Sequence, residues 1–219
     1  MTRPAAAAPG RIVVLNGIAA SGKSTLARGL QDRWPEPFLH VGLDAITATM
    51  PRRFLFDGAD ADLGARWVTD DAGRVLRIDA GPFGERLLLG LPRWATALAD
   101  AGNHVILDDV LLYPWRLHDV AAVMAGRDAH FVEVRCTIET ARVRARERGR
   151  GGTGTIDAYY AATYAHDDYD LRIDTERDGP DACAERLVAY LRGDPQPGAF
   201  ERLARAAGAR TADRRHTGP

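Results

Sequence analysis

Ile12-Val13-Val14-Leu15-Asn16-Gly17-Ile18-Ala19-Ala20-Ser21-Gly22-Lys23-Ser24-Thr25 is the stretch that decides the fold of this chain. Arg11 to Asn16 reads as a short buried strand. Gly17 to Ser24 fits G-x-x-x-x-G-K-[ST], the phosphate-binding loop that joins a strand to a helix. Thr25 to Trp34 reads as that helix. Lys23 is the only lysine among the 29 Lys and Arg residues, and Ser21 and Ser24 are the only serines. The chain uses arginine everywhere else. It keeps a compact ammonium on a flexible stem at the one place where arginine's planar fork is no substitute.

The chemistry of such a loop follows from its backbone. Gly17 permits the turn, and the N–H groups of Ala19, Ala20, Ser21, Gly22, Lys23 and Ser24 curl around an anion. The helix opening at Thr25 points its positive end at the same place. Lys23 would reach the β- and γ-phosphates, and the Ser24 hydroxyl would ligate Mg²⁺. The expected cofactors are therefore ATP and Mg²⁺.

Composition narrows the alternatives. The 219 residues suit one domain, expected over 11–192, with a flexible start at 1–10 and an extension over 193–219. In that extension, Phe200 to Ala207 reads as an amphipathic piece, and Thr211 to Pro219 as disordered. A net charge of −1 gives no bulk attraction to nucleic acid or membrane. No apolar run is long enough for a membrane span or a signal peptide. Two cysteines, Cys136 and Cys183, make no disulfide framework, and Cys136 reads as a packed core residue; a reducing cytoplasm is expected. The partner expected is a small molecule bearing a hydroxyl. The sequence specifies no oligomeric state.

Strand and helix patterns alternate along the chain, which predicts an α/β domain with a five-stranded parallel sheet, expected order 2-3-1-4-5, and helices on both faces. The other core strands are expected at Phe38–Gly42, His104–Asp109, Ala129–Cys136 and Tyr169–Asp174. Arg66–Thr69 and Arg74–Arg77 read as a hairpin around Asp71-Ala72-Gly73. Helices are expected after Leu43, over 82–101, from Pro114, from the Thr137 cap to Arg148, over 155–166 and over 180–191.

The carboxyl ends of the strands then define a site. Asp108 and Asp109 end the third strand and face opposite ways. One would serve Mg²⁺ and the other would face substrate or brace the loop; Asp108 is chosen for the metal, and the choice stays open. Asp44 follows the second strand. It suits a base that accepts the proton of an attacking hydroxyl, or the cap of the short helix behind it. Arg135 ends the fourth strand and is a candidate contact for substrate or phosphate. The run Arg142-Val-Arg144-Ala-Arg146-Glu-Arg148-Gly-Arg150 leads into Gly151-Gly152-Thr153-Gly154. A solvated face is the default reading, but glycines after an arginine helix suit a lid closing over the transferring phosphate, with Arg142 and Arg146 on one helical face and Arg144 and Arg148 on another.

Several of these stretches together resemble the chloramphenicol 3-O-phosphotransferase family of small phosphate-loop kinases. They are Ile12–Gly17 with Ser21–Ser24, Trp34–Leu39 running to Val41–Asp44, Ile106–Val110, Val134–Cys136 and Tyr169–Thr175. The resemblance implies a five-stranded parallel core, ATP with Mg²⁺, and phosphorylation of a primary hydroxyl on a small amphiphilic acceptor, with Asp44 as base. It departs at Arg52–Phe83, where the family builds part of its acceptor pocket, and beyond Arg192. Three functions remain open on sequence: a hydroxyl-acceptor kinase with a chloramphenicol-like antibiotic as acceptor, a nucleoside, nucleotide or other metabolite kinase, and a nucleotide-binding protein without transfer. The aromatics Phe54, Phe56, Trp67, Phe83, Tyr113 and Trp115 favour a neutral, partly apolar acceptor.

Overall fold

The computed structural model describes residues 8–149 and 153–216. Its centre is a five-stranded parallel sheet of β1 (Ile12–Asn16), β2 (Phe38–Gly42), β6 (His104–Asp109), β7 (Ala129–Arg135) and β8 (Leu171–Asp174). The strands lie in the order β2-β6-β1-β7-β8. Counted over these five core strands this is 2-3-1-4-5; the chain numbers differ in detail because β3 (Leu55–Phe56), β4 (Ala65–Thr69) and β5 (Val75–Ala80) intervene and make a sheet of their own. The expected hairpin is thus β4 and β5, with the two-residue β3 added on the outside of β4. All five residues of β1 are buried, as a strand between two parallel neighbours requires.

Two apolar layers follow from the alternation of side chains along these strands. Val13, Leu15, Ile106, Val132 and Val134 face α1 (Lys23–Arg33) and α7 (Pro180–Arg192). Ile12, Val14, Val105, Leu107 and Phe131 face α3 (Pro82–Asp100), α4 (Pro114–Met124) and α8 (Ala199–His216). A third cluster joins Ile18 and Cys136 to α5 (Ile138–Glu147) and α6 (Thr153–Thr163). The short α2 (Leu43–Thr47) closes the top of β2. Proline stands at the first turn of α3, α4 and α7, where its missing N–H costs nothing. Thr137 caps α5 as expected, its side chain accepting from the Thr140 N–H.

The extension departs from the sequence reading. Its helix runs from Ala199 to His216, well past the amphipathic piece, and Ala199 and Phe200 are fully buried against the sheet. Phe131 stacks on Phe200 at 4.7 Å. The helix assignment extends to His216, and residues 217–219 lie outside the described residues. At the other end, residues 1–7 lie outside them too. The end of the stretch expected to be flexible is tied down: the Gly10 N–H donates to the Ala99 carbonyl at 2.9 Å.

One backbone feature stands out in the insert. The Gly58 N–H donates to the Leu55 carbonyl at 2.9 Å, closing a tight turn in which Phe56 is the first central residue. Phe56 has φ of 58°. A left-handed conformation at a bulky L-residue costs about 1–2 kcal/mol, and glycine or asparagine normally fills such a position.

Candidate functional site

The loop after β1 is shaped by close approaches that only glycine allows. A Cβ on Gly17 would lie 2.2 Å from the Val134 carbonyl oxygen. Gly22 caps α1 with φ of 106°, and Ala20 shares the left-handed region at 63°. Lys23 is buried, its Nζ donating to the carbonyls of Gly17 (2.7 Å) and Ile18 (3.2 Å). Ser24 Oγ donates to Asp108 Oδ2 at 3.1 Å. Asp108 Oδ1 lies 3.6 Å from Lys23 Nζ, and its Oδ2 lies 3.5 Å from His40 Nε2. Burial pushes the Asp108 carboxyl up, but the Lys23 charge, His40 and the Ser24 hydroxyl outweigh it and hold the group below the usual carboxylate range. Ser21 Oγ is buried with no hydrogen-bond partner among the described residues. It packs beside Gly17, where an added Cβ would lie 2.7 Å from it.

Asp109 does different work. Its side chain points to the other face of β6 and pairs with the buried Arg116 guanidinium. Arg116 also donates to the Leu88 carbonyl, so this pair ties β6 to α4 and α3. Burial raises the Asp109 carboxyl against the pull of Arg116. Of the two carboxylates, Asp108 is the one beside Ser24.

On the far side of the loop lies an apolar cavity of about 320 Å³. Ile18 and Ala19 of the loop form one wall, and Leu43, Asp44, Thr47 and Met50 around α2 form another. The insert contributes Leu55, Phe56, Ala65, Ile78 and Ala80; α3 contributes Leu87 and Leu88. Tyr113, Thr155 and Tyr159 add polar groups, and the paired Asp109 and Arg116 line it as well. Asp44 is in the first turn of α2 and exposed, and no side-chain cap is made there. Of the expected aromatics, Phe56 and Tyr113 reach this cavity. Phe54 and Phe83 instead pack edge-on against each other at 5.4 Å.

A second, more polar cleft of about 250 Å³ opens beside Gly22 and Thr25. Arg144, Glu147 and Arg148 of α5 and the loop behind it line it, facing Thr175, Pro180 and Cys183. Arg144 donates to Thr175 Oγ1 (3.0 Å) and to the Thr175 carbonyl (2.8 Å). Thr175 Oγ1 in turn donates to the Ser21 carbonyl at 2.6 Å, which fastens the end of β8 to the loop.

The arginines chosen from sequence are otherwise engaged. Arg142 Nε donates to Asp157 on α6 at 2.7 Å, and Arg146 is exposed. The face of α5 turned to the loop is thus that of Arg144 and Arg148. Arg135 lies 3.5 Å from Glu133 and 4.6 Å above the Tyr164 ring. Arg150, Gly151 and Gly152 of the expected hinge lie outside the described residues. Thr175 was not singled out from the sequence, and Arg144 was read only as one of the arginine run. Thr175 follows the last strand, so the strand-end rule that found Asp44 and Asp108 would have found it too.

The donor set fits magnesium. A hydroxyl and one carboxylate at the end of a phosphate cradle suit a cation that keeps several waters and takes its remaining ligands from substrate phosphates. Among the described residues there is no cluster of three or more His, Cys, Asp or Glu for a metal held by protein alone. No helix of the described residues is long and apolar enough to cross a membrane. Both cysteines are free and buried.

Comparison with known proteins agrees with this geometry. The model of the family described as chloramphenicol phosphotransferase-like proteins matches residues 10–192. A Mycobacterium tuberculosis protein named "Putative O-phosphotransferase" is 28% identical over 205 residues, spanning 89% of this chain and 88% of its own. Among solved structures, the APS kinase CysC of Mycobacterium tuberculosis, in complex with AMPPNP and APS, aligns with a TM-score of 0.60 and 21% identity over 84% of this chain and 99% of that one. A sugar kinase from Janibacter aligns at 0.57 and 24% over 87% of this chain and 98% of that one. These two share the fold. The chain belongs to the chloramphenicol phosphotransferase-like family and is a kinase, an O-phosphotransferase.

Proposed function

We propose that this protein moves the γ-phosphate of ATP to a hydroxyl of a small, neutral, amphiphilic molecule of the chloramphenicol-like kind. One observation carries the reading: the apolar cavity that holds Asp44 takes two of its wall residues, Ile18 and Ala19, from the phosphate loop. A hydroxyl bound beside Asp44 therefore lies next to the phosphate cradle.

In this reading the loop N–H groups, Lys23 and the Ser21 hydroxyl hold the β- and γ-phosphates. Arg144 and Arg148 flank the outer part of the nucleotide, in the cleft they share with Thr175 and Pro180. Ser24 and Asp108 would hold Mg²⁺, which would neutralise charge on the phosphate oxygens. Asp44 Oδ accepts the proton of the acceptor hydroxyl as its oxygen bonds to the γ-phosphorus; the bond from that phosphorus to the bridging oxygen breaks, and ADP carries the electron pair away. The apolar walls exclude water, the competing acceptor. The cavity's surface is mostly apolar and two of its polar side chains, Asp109 and Arg116, are already paired with each other, so an acceptor with an apolar body is preferred over a sugar.

Asp44→Asn tests the reading. The amide keeps the shape but takes no proton, so transfer should fall by about 10²–10⁴-fold while ATP affinity holds. A screen of amphenicols, sugars and nucleosides with ATP supplies the substrate. Phosphorylation of sugars or nucleosides alone would overturn the apolar acceptor and keep the kinase.

A further inference from the structure

Side chains alternate along β2, and Phe38 packs with Ile106, Leu26 and Leu30 in the layer against α1. His40 and Gly42 belong to the same face, further along the strand toward its carboxyl end. The register sets His40 beside Ile106 and Gly42 beside Asp108. At Gly42 the two strands leave no room for a side chain: a Cβ would lie 3.1 Å from Asp108 Cβ and 2.9 Å from the Asp108 carbonyl oxygen. With nothing between them, the imidazole reaches the carboxylate, and His40 Nε2 lies 3.5 Å from Asp108 Oδ2.

That oxygen also meets Ser24 Oγ, at 3.1 Å, while Lys23 Nζ lies 3.6 Å from Oδ1. A hydroxyl, a carboxylate oxygen and an imidazole nitrogen thus converge at the head of α1. The His40 separation is longer than a good N–H···O hydrogen bond, about 2.7–3.2 Å. Both separations are near the roughly 3 Å between neighbouring ligands of a six-coordinate cation with bonds of about 2.1 Å. The His40 side chain keeps 28% of its surface open and that of Asp108 17%, so a cation reaches these donors from the cleft. Hydroxyl and carboxylate oxygens suit Mg²⁺; an imidazole nitrogen suits first-row transition cations better.

We infer that His40 is a third protein ligand of the metal carried with the nucleotide, and that its nitrogen tilts the site from Mg²⁺ toward a first-row transition cation such as Mn²⁺. The inference rests on the proposed metal role of Ser24 and Asp108, and adds a donor and a metal preference to it. A histidine that only braced Asp108 would help every divalent cation alike. One that ligates helps Mn²⁺ far more than Mg²⁺.

The probe is Mn²⁺ with the ATP analogue AMPPNP, bound to the native protein and to His40→Gln. Electron spin-echo modulation of Mn²⁺ detects nitrogen bound directly to the metal. In native protein grown on ¹⁵N-histidine the modulation should be that of ¹⁵N, and in His40→Gln it should vanish. Mn²⁺ affinity, read from the EPR signal of the free ion, should fall about tenfold in His40→Gln. Mg²⁺ affinity, read by competition against Mn²⁺, should fall by less than about threefold. No histidine nitrogen on Mn²⁺ in the native protein, a nitrogen signal that persists in His40→Gln, or an equal loss of both cations would each overturn the inference. The signal of the native protein decides the matter even where His40→Gln does not fold. Mn²⁺ without histidine nitrogen, in a protein that transfers phosphate to a hydroxyl, would leave the kinase reading standing. Histidine nitrogen on Mn²⁺, in a protein that phosphorylates no hydroxyl, would do the reverse.

Discussion

The parallel sheet and the inserted three-stranded sheet are built on opposite terms. β1 has five residues and all are buried; β4 and β5 have no fully buried residue between them. The parallel sheet is held by its own packing between two helical layers. The insert is held by what it leans on. Tyr159 Oη on α6 accepts from the Ile78 N–H at 2.5 Å, a Cβ on Gly154 would lie 2.1 Å from the Val75 carbonyl oxygen, and one on Gly84 would lie 2.2 Å from the Gly64 oxygen. The two sheets divide the chemistry in the same way. Phosphate handling, common to every acceptor, sits on the rigid strand ends. Under the proposed function, the acceptor's apolar body would meet the insert, whose strands carry no fully buried residue.

The largest effect that would break this division is at Lys23. Lys23→Met keeps most of the volume and removes the ammonium. Transfer should fall more than about a hundredfold, from the loss of at least about 3 kcal/mol of charge stabilisation on the transferring phosphate. Turnover near the native rate would end the assignment of this loop, and with it the idea that the sheet carries the common chemistry. Some loss of stability should accompany it, since Asp108 loses the charge that does most to hold it ionised.

Stability should separate the two sheets next. Leu107 in β6 is fully buried and Leu76 in β5 is 40% exposed. Leu107→Ala should cost about 2–5 kcal/mol in chemical denaturation, the range for a cavity in a packed core. Leu76→Ala should stay within about 0.5 kcal/mol. Comparable losses at both positions would mean that the insert belongs to the core.

The same contrast explains what could be read from the sequence. Ile12–Asn16 and His104–Asp109 are apolar runs with a chemical residue at the end, and a buried strand leaves such a pattern little choice. The phosphate loop, Asp44 and the Asp108–Asp109 pair were legible because they stand at strand ends. Their division of labour was not. It depends on which face meets Arg116, a residue whose burial under Leu88 has no local signature. The phase of Arg144 against Arg142 was equally hidden, because both faces of α5 carry arginine and only the tertiary partners, Thr175 and Asp157, separate them. The left-handed Phe56 could not be foreseen at all. Sequence rules put glycine in such turns, so a residue kept there against the rule shows only in the backbone. Phe200 was read as part of an appendage, because an amphipathic stretch does not say which surface it covers.

The smallest effect concerns ion pairs, and it runs along the same divide. Asp128, at the foot of β7, accepts from Arg11 Nε at 2.8 Å and meets His130 Nε2 at 2.7 Å. Arg11 also holds Asp194, and Tyr190 Oη lies 3.1 Å from the other nitrogen of His130. Burial opposes ionisation, but His130 and Arg11 lower the Asp128 carboxyl from its ordinary 3.8 to about 2. In the insert, Asp79 is lowered chiefly by its hydrogen bond from Arg77, whose side chain is 53% exposed against 14% for Arg11. A carboxyl lowered by folding stabilises the fold above its ordinary value and loses that contribution as pH falls through the folded value. The Asp128 contribution should therefore be intact at neutral pH and disappear between about pH 4 and pH 2. Its side chain is 43% exposed, so solvent screening limits it to about 1 kcal/mol or less. Denaturant titrations across that window should show Asp128→Asn less stable than the native protein at pH 7 and converging with it in acid, while the gap for Asp79→Asn has the same sign and is smaller. A pH-dependent gap at Asp79 as large as that at Asp128 would show that the insert's exposed pairs hold it as firmly as packing holds the parallel sheet.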